Sequence, residues 1–266
     1  MNEDLYQCTA RRLATPDPET VDADDTTSEA REWFEKKGYD YAPVLDDGEP
    51  VGYVGESMVV GEPENKNIER IMKNIELQNM ISSDARFYDV LTGLEDEFFY
   101  FLGGKNEVTG IVTRADLNTS PARIHLFDRI SFLERGLRNL IDDVAPNWEE
   151  EVYFDEDTID KIDRLYEEAK EANVELSKIN YAGFSAITKI ITHYEDCWKS
   201  CGYEKEHKAR SDLHKIRKLR NDVAHSNLIL QTTSSDYDTE GRSIRDLIKI
   251  YDALVNCNRS LQDQME

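Results

Sequence analysis

The chain has 266 residues, of which 39% are hydrophobic and 33% charged. It can bury a core in one large or two ordinary domains without disulfide or metal staples. With 55 acids against 32 bases the net charge is −23, a balance that repels nucleic acid and anionic membrane, so binding of either needs a local basic patch. No apolar run approaches the roughly 20 residues of a membrane-spanning helix. The acidic, polar Met1–Gln7 does not read as a secretory signal, and a cytoplasmic location is expected. Whole-chain acidity suits solubility in concentrated salt, where charge repulsion is screened over a few ångström; it predicts a halophilic host, the alternative being an ordinary acidic cytoplasmic protein. Cys8, Cys197, Cys201 and Cys257 are few and scattered and are expected as reduced thiols. Cys197 and Cys201 lack a second pair of matching spacing, so no metal site is predicted.

Up to about residue 120 the pattern mixes short β-rich runs, helical stretches and turns; beyond Pro121 nearly every long segment has helical periodicity. Two domains, 1–120 and 121–266, are predicted, together an α+β chain.

The first domain contains an internal repeat. One copy reads as helix over Asp25–Phe34, strand over Tyr41–Leu45, a turn at Asp46–Gly48 and strand over Pro50–Val54. The other reads as helix over Asp84–Leu91, strand over Phe98–Leu102, a turn at Gly103–Asn106 and strand over Val108–Val112. Gly52 and Gly110 stand 58 residues apart. The strands are apolar runs and the turns carry hairpin chemistry.

With the closing segment Gly110-Ile-Val-Thr-Arg-Ala-Asp116, this pattern over residues 10–120 resembles a CBS-domain pair. The resemblance implies a disc of two α/β halves whose clefts commonly bind adenine nucleotides such as AMP or ATP. Its ligand-binding residues carry over to Thr113 and Asp116. A carboxylate at a strand-to-helix turn can accept hydrogen bonds from both ribose hydroxyls, and a hydroxyl beside backbone amides can hold phosphate. The corresponding positions of the first copy are Gly55 and Met58, so at most one standard site is expected. Asp116 can equally serve as a cap for the turn or helix that follows.

In the second domain five helices are predicted. The first is Ala122–Asp143, with Ile124, Phe127, Ile130, Leu133, Leu137, Leu140 and Ile141 on one stripe. The others are Asp157–Ala172, whose acidic start suits the helix dipole, Ala182–Lys199, Glu204–Ser226 and Ser243–Asp263, with a polar loop from Gln231 to Asp238 before the last. Antiparallel helices of this number make a bundle.

Charge is unevenly spread here. Asn147–Glu175 holds twelve acids and three bases; Lys199–Arg220 holds eight bases and three acids. That basic segment needs an anionic partner, either the acidic second helix or a ligand. Wound as a helix, it places Arg210, His214, Arg217, Asn221 and His225 on one stripe that reads as free of acids, opposite Leu213, Ile216, Leu219 and Val223. Arg and His together can bind phosphate, move protons and stabilise an anionic transition state.

The string Arg220-Asn-Asp-Val-Ala-His225 matches the R-x4–6-H signature of HEPN domains, helical bundles that include metal-independent ribonucleases, and residues 121–266 resemble them in architecture. The resemblance implies a homodimer in which Arg220 and His225 are catalytic with Asn221 as a polar helper; from the stripe itself, Arg210, His214 and Arg217 are candidate RNA contacts. An aromatic found two residues after the histidine in some members is Asn227 here. Arg220 sits about 140° from His225 on an ideal helix, so it must reach across or the helix must loosen; otherwise Arg220 pairs with a buried acid and His225 complements the helix C-terminus.

Two functions follow. One is a nucleotide-sensing regulatory protein with a metal-independent endoribonuclease domain, acting on RNA and not DNA, without membrane attachment or a required cofactor. The alternative is a non-catalytic CBS regulatory and dimerisation protein. Kinase, dehydrogenase and hydrolase chemistry finds no Gly-rich phosphate loop, G-x-S-x-G or H-E-x-x-H motif.

Overall fold

The computed structural model describes residues 7–231 and 241–264. Most of the predicted polar loop after Gln231, and residues 1–6 of the N-terminal stretch, lie outside them. The chain forms two compact units, Met1–Ala122 and Arg123–Glu266.

The first unit runs α1 (Ala10–Leu13), β1 (Thr15–Pro16), β2 (Val21–Asp22), α2 (Thr27–Lys37), β3 (Tyr41–Asp46), β4 (Glu49–Gly55), α3 (Glu56–Val59), α4 (Phe87–Asp96), β5 (Phe99–Gly103) and β6 (Val108–Thr113). Helix α2 starts where Thr26 and Glu29 cap each other, the Thr26 amide donating to Glu29 Oε2 at 2.8 Å. It stops at Gly38, whose φ of +68° closes the last turn in the left-handed region. The β3–β4 turn has positive φ at both Asp47 and Gly48, the conformation that suits a tight hairpin.

Both repeat copies fold as antiparallel hairpins, β3–β4 and β5–β6, in register 58 residues apart: Tyr41 opposite Gly55 corresponds to Phe99 opposite Thr113, and each ladder shifts at the same place. Sheet edges are exchanged between the halves. The segment before the first copy, Thr15–Pro16, pairs antiparallel with β6 of the second, while Lys73, which precedes the second copy, bridges to Tyr53 in β4 of the first. This exchange accounts for the two repeat glycines. A Cβ on Gly52 would lie 2.6 Å from the Lys73 carbonyl oxygen, and one on Gly110 would lie 3.3 Å from Ala14 Cβ; each is small because the visiting segment crosses there. Val21, Ala30, Phe34, Val44, Val54 and Ile68 form one core, and Tyr41 and Tyr53 pack their rings against Phe99, with centroids 4.5 and 5.1 Å apart, to join the halves.

The second unit contains α5 (Ser120–Val144, most of which lies in it), α6 (Trp148–Glu151), α7 (Glu156–Glu171), α8 (Phe184–His193), α9 (Glu195–Ser200), α10 (Glu206–Ala224) and α11 (Ile244–Asp263); its described elements are all helical. Two expectations are corrected. The predicted helix Ala182–Lys199 is two helices, because Tyr194 takes an extended ψ of 125° between α8 and α9. The buried stripe of α5 is Ala122, Leu126, Ile130, Leu133, Leu137 and Ile141, whereas Ile124 and Phe127 are 49% and 56% exposed. At 3.6 residues per turn a stripe through Ile130 and Leu133 passes Leu126 and misses Ile124 and Phe127. Helix α10 packs between α8 and α11 through Leu213, Ile216, Leu219 and Val223, all buried. The four cysteines are buried free thiols, and burial pushes Cys8 up to about 11 and Cys197 to about 12, which leaves both as poor nucleophiles at neutral pH.

Candidate functional site

In the first unit Thr113 ends β6 and Asp116 lies in the short 3-10 turn Arg114–Asn118 that follows. The structure brings the two together. Asp116 Oδ2 accepts from the Thr113 amide at 2.7 Å and from Thr113 Oγ1 at 3.0 Å, so the pair caps the turn. Asp116 is 8% exposed; burial raises its carboxyl above the ordinary value, against the two Thr113 bonds that lower it. Its second oxygen has no such bond from Thr113. In the first copy the matching turn is held differently, the Gly55 amide pointing at Met58 Sδ at 3.3 Å. Arg114 has a structural task that its sequence context did not reveal: Nε and Nη2 donate to the carbonyls of Leu94 and Glu95 at the end of α4.

In the second unit the predicted catalytic pair lies at the end of α10. Arg220 leaves the helix toward α5, and its Nε donates to Glu134 Oε1 at 3.1 Å. Glu134 is itself 14% exposed at the side chain and also holds Arg138 at 3.3 Å. His225 is the C-cap residue of α10 and is exposed. Its amide still bonds to the Asn221 carbonyl at 2.9 Å, so the helix does not loosen before it, and the angular separation from Arg220 remains. Ser226, at φ +59°, turns the chain away. Within one chain, therefore, Arg220 and His225 occupy different faces. Asn221 is exposed, and Asp222 of the same string is structural, accepting from Arg242 at 2.7 Å and from Asn227 at 3.2 Å.

The polar stripe differs from expectation in one respect. It is not free of acids, since Glu206, one turn before Arg210, pairs with it at 2.5 Å. Arg217 donates to Ser185 Oγ at 2.9 Å and lies 3.2 Å from His214 Nδ1. Burial, then Arg217 and Lys218, hold His214 below its ordinary value, so its neutral ring can accept from the guanidinium. Among the described residues no ion pair joins the acidic second helix to the basic one: Lys208, Arg210 and Arg220 pair with Asp212, Glu206 and Glu134, while Asp163 of α7 pairs with Lys178 at 2.6 Å. Two residues that fix this end of α10 carried no signal in the sequence. They are Glu134, 86 positions from Arg220, and Arg123, whose guanidinium donates to the carbonyls of Asp222, Val223 and Asn227.

Among curated proteins none matches this chain. Solved structures similar to it include the CBS domains of a transcriptional regulator from Streptococcus pneumoniae, with 18% identity over 43% of this chain and 98% of that one and a TM-score of 0.38. Another is CBSX2 in complex with AMP, with 18% identity over 45% and 98% and a TM-score of 0.39. A third is the cytosolic domain of the Mg2+ channel MgtE in complex with ATP, with 19% identity over 41% and 47% and a TM-score of 0.36. Residues 10–63 match the family model of the CBS domain. The N-terminal region of the chain thus carries a CBS domain, followed by a helix-rich remainder.

Proposed function

We propose that the chain is a nucleotide-sensing regulatory protein in which a CBS pair over residues 10–120 binds an adenine nucleotide and a HEPN-like helical domain cuts RNA without a metal. The observation that carries the first half is the closing turn of the second repeat copy, where Thr113 and Asp116 stand together at the end of β6 with one carboxylate oxygen engaged. The remaining turn amides would hold phosphate, joined by the Thr113 hydroxyl once it turns from Asp116 to the ligand, and Asp116 would hold the ribose.

For the second half the support is the end of α10. The Arg220 side chain is 39% exposed and its guanidinium is held by a largely buried Glu134, and His225 is exposed at the helix end. In such a site the internal 2′-hydroxyl gives its proton to His225 and attacks the phosphorus, the P–O5′ bond breaks, the leaving 5′-oxygen takes up a proton to end as a 5′-hydroxyl, and Arg220 stabilises the phosphorane charge. Because Arg220 and His225 leave one helix on different faces, the site is completed by a second copy, and exposed Ile124 and Phe127 on α5 offer apolar surface for a homodimer. The products would end in a 2′,3′-cyclic phosphate and DNA would be untouched, for want of the 2′-hydroxyl.

A non-catalytic regulatory and dimerisation role is the second reading, favoured by the same Glu134 contact: a guanidinium committed to a carboxylate is less available to phosphate. The deciding experiment is incubation of the purified chain with single-stranded RNA in EDTA, with and without AMP or ATP. Cleavage that is lost in both Arg220→Ala and His225→Ala supports the nuclease. RNA left intact under every condition, with AMP or ATP binding retained and lost in Asp116→Ala, leaves the regulatory reading.

A further inference from the structure

A cleft of about 470 Å³ opens between α10 and α11, lined by Lys215, Lys218 and Asn221 from α10, Asp246 and Lys249 from α11, and Arg242 just before it. It lies apart from the stripe of Arg210, His214 and Arg217. We infer that this cleft is a binding site for a ligand with two adjacent phosphoryl groups, either a small diphosphate or two successive phosphodiesters of a nucleic-acid backbone. The inference does not rest on the nuclease reading: of that site's residues only the helper Asn221 lines the cleft, and the catalytic pair Arg220 and His225 does not.

The charge arrangement carries it. Of the two carboxylates at the cleft, Asp222 is neutralised by an arginine, while Asp246 keeps its charge and offsets one of the three lysines. Asp222 is bonded to Arg242 at 2.7 Å. Asp246 caps α11, accepting from Ser243 Oγ at 2.7 Å; burial would raise its carboxyl, but the Ser243 bonds and the nearby Lys249 and Lys215 ammoniums hold it low. By contrast, Lys215, Lys218 and Lys249 are exposed, and among the described residues none has an ion-pair partner within 4.0 Å. Elsewhere on α10 the cations Lys208, Arg210 and Arg220 do have such partners. Three ammoniums converging from two helices, in a chain of net charge −23, form a local positive concavity against the prevailing field.

Lysine suits phosphate as a compact point charge with rotatable donors. Lys215 and Lys218, one turn apart on α10, and Lys249 on α11 line the same cleft, so one phosphoryl group would leave part of this charge unneutralised and two would take up both helices' share. Asn221 adds an amide that can donate to an ester or bridging oxygen. The volume suits a small ligand or a short stretch of backbone.

Calorimetry on the full chain at low ionic strength, where such contacts are least screened, tests this with inorganic pyrophosphate and, separately, a 2′-O-methyl hexanucleotide that presents phosphodiesters but cannot be cut. Neither probe is an adenine mononucleotide, which would report on the CBS region instead. The doubly substituted Lys215→Glu, Lys218→Glu chain is expected to bind at least about tenfold more weakly, and Lys249→Gln several-fold more weakly. Lys161→Glu on α7 serves as a charge control and should bind as wild type. Tighter binding of pyrophosphate identifies a small diphosphate as the ligand chemistry; tighter binding of the hexanucleotide identifies the backbone. If neither probe binds the wild type, or Lys161→Glu costs as much as the cleft substitutions, the site does not exist. Should the double variant fail to fold, the single Lys249→Gln chain decides the matter alone.

Discussion

Replacing Gly52 by alanine sets the exchanged sheet edge against a single methyl group. The new Cβ would meet the Lys73 carbonyl oxygen at 2.6 Å and Met72 Sδ at 3.0 Å, where a carbon and an oxygen ordinarily stay about 3.3 Å or more apart. The obstacle is backbone, so relief requires the Lys73 segment to move outward and weakens its two bonds to Tyr53, now 2.8 and 2.9 Å. Overpacking of this kind costs about 1–3 kcal/mol, the partial weakening of the two hydrogen bonds adds about 1 kcal/mol in all, and the stiffer unfolded chain returns about 0.4–1 kcal/mol. The expected net loss is therefore about 2 kcal/mol. At Gly110 the nearest atoms are 3.3 Å (Ala14 Cβ) and 3.4 Å (Thr15 O) away; Gly110→Ala should change stability by no more than about 0.5 kcal/mol, contact and entropy offsetting each other. Hydrogen exchange at the Tyr53 amide reads this edge directly: protection should fall about 30-fold in Gly52→Ala and stay near wild type in Gly110→Ala. Equal effects at the two glycines, or none at Gly52, would refute the idea that the crossing segment selects glycine.

Three further outcomes are expected. Asp116 has its carboxyl raised by burial, so its contribution to stability is full below its unfolded value near 3.8 and is lost as pH rises through the raised folded value; Asp116→Asn should flatten this part of the stability–pH curve, and a curve identical to wild type between pH 3 and 6 would show that no such shift exists. Arg123→Ala removes three donors from the carbonyls ending α10 and should cost about 1–2 kcal/mol, seen as faster hydrogen exchange over the last turn of α10; unchanged exchange there counts against the cap. Glu134→Gln loosens Arg220 while leaving it charged, so in a chain that cuts RNA it should lower turnover more than it raises KM, and Arg220→Lys, which cannot reproduce the guanidinium geometry, should not rescue it.

The hairpins were legible in the sequence because the cause of each is local: apolar runs such as Tyr41–Leu45 and Phe99–Leu102 flank turn residues with the φ freedom a tight connection needs. Helix α10 was legible too, through the spacing of Leu213, Ile216, Leu219 and Val223. The α5 stripe was misread at its start because Ile124 and Phe127 are apolar yet off the face that continues to Ile141. The break at Tyr194 has no Gly or Pro to announce it. Glu134 and Arg123 could not have been found, since their partners lie 86 and about 100 positions away, and no periodicity links residues brought together only by packing. The acid-free stripe failed for a simpler reason: Glu206 opens the same helix, one turn ahead of Arg210.

The exchanged edges bear on how such a repeat can exist at all. Residues 10–63, cut out alone, would carry β1 with no β6 to receive it and β4 with its outer edge bare of Lys73, and a bare edge invites pairing with another chain. A single copy would thus find its missing strand in a second molecule, each lending its leading segment to the other. The tandem arrangement converts that intermolecular trade into an internal one, at an effective concentration fixed by the linker rather than by the cell. The two halves are then a dimer fused into one chain, and damage to either leading segment is felt first in the opposite half.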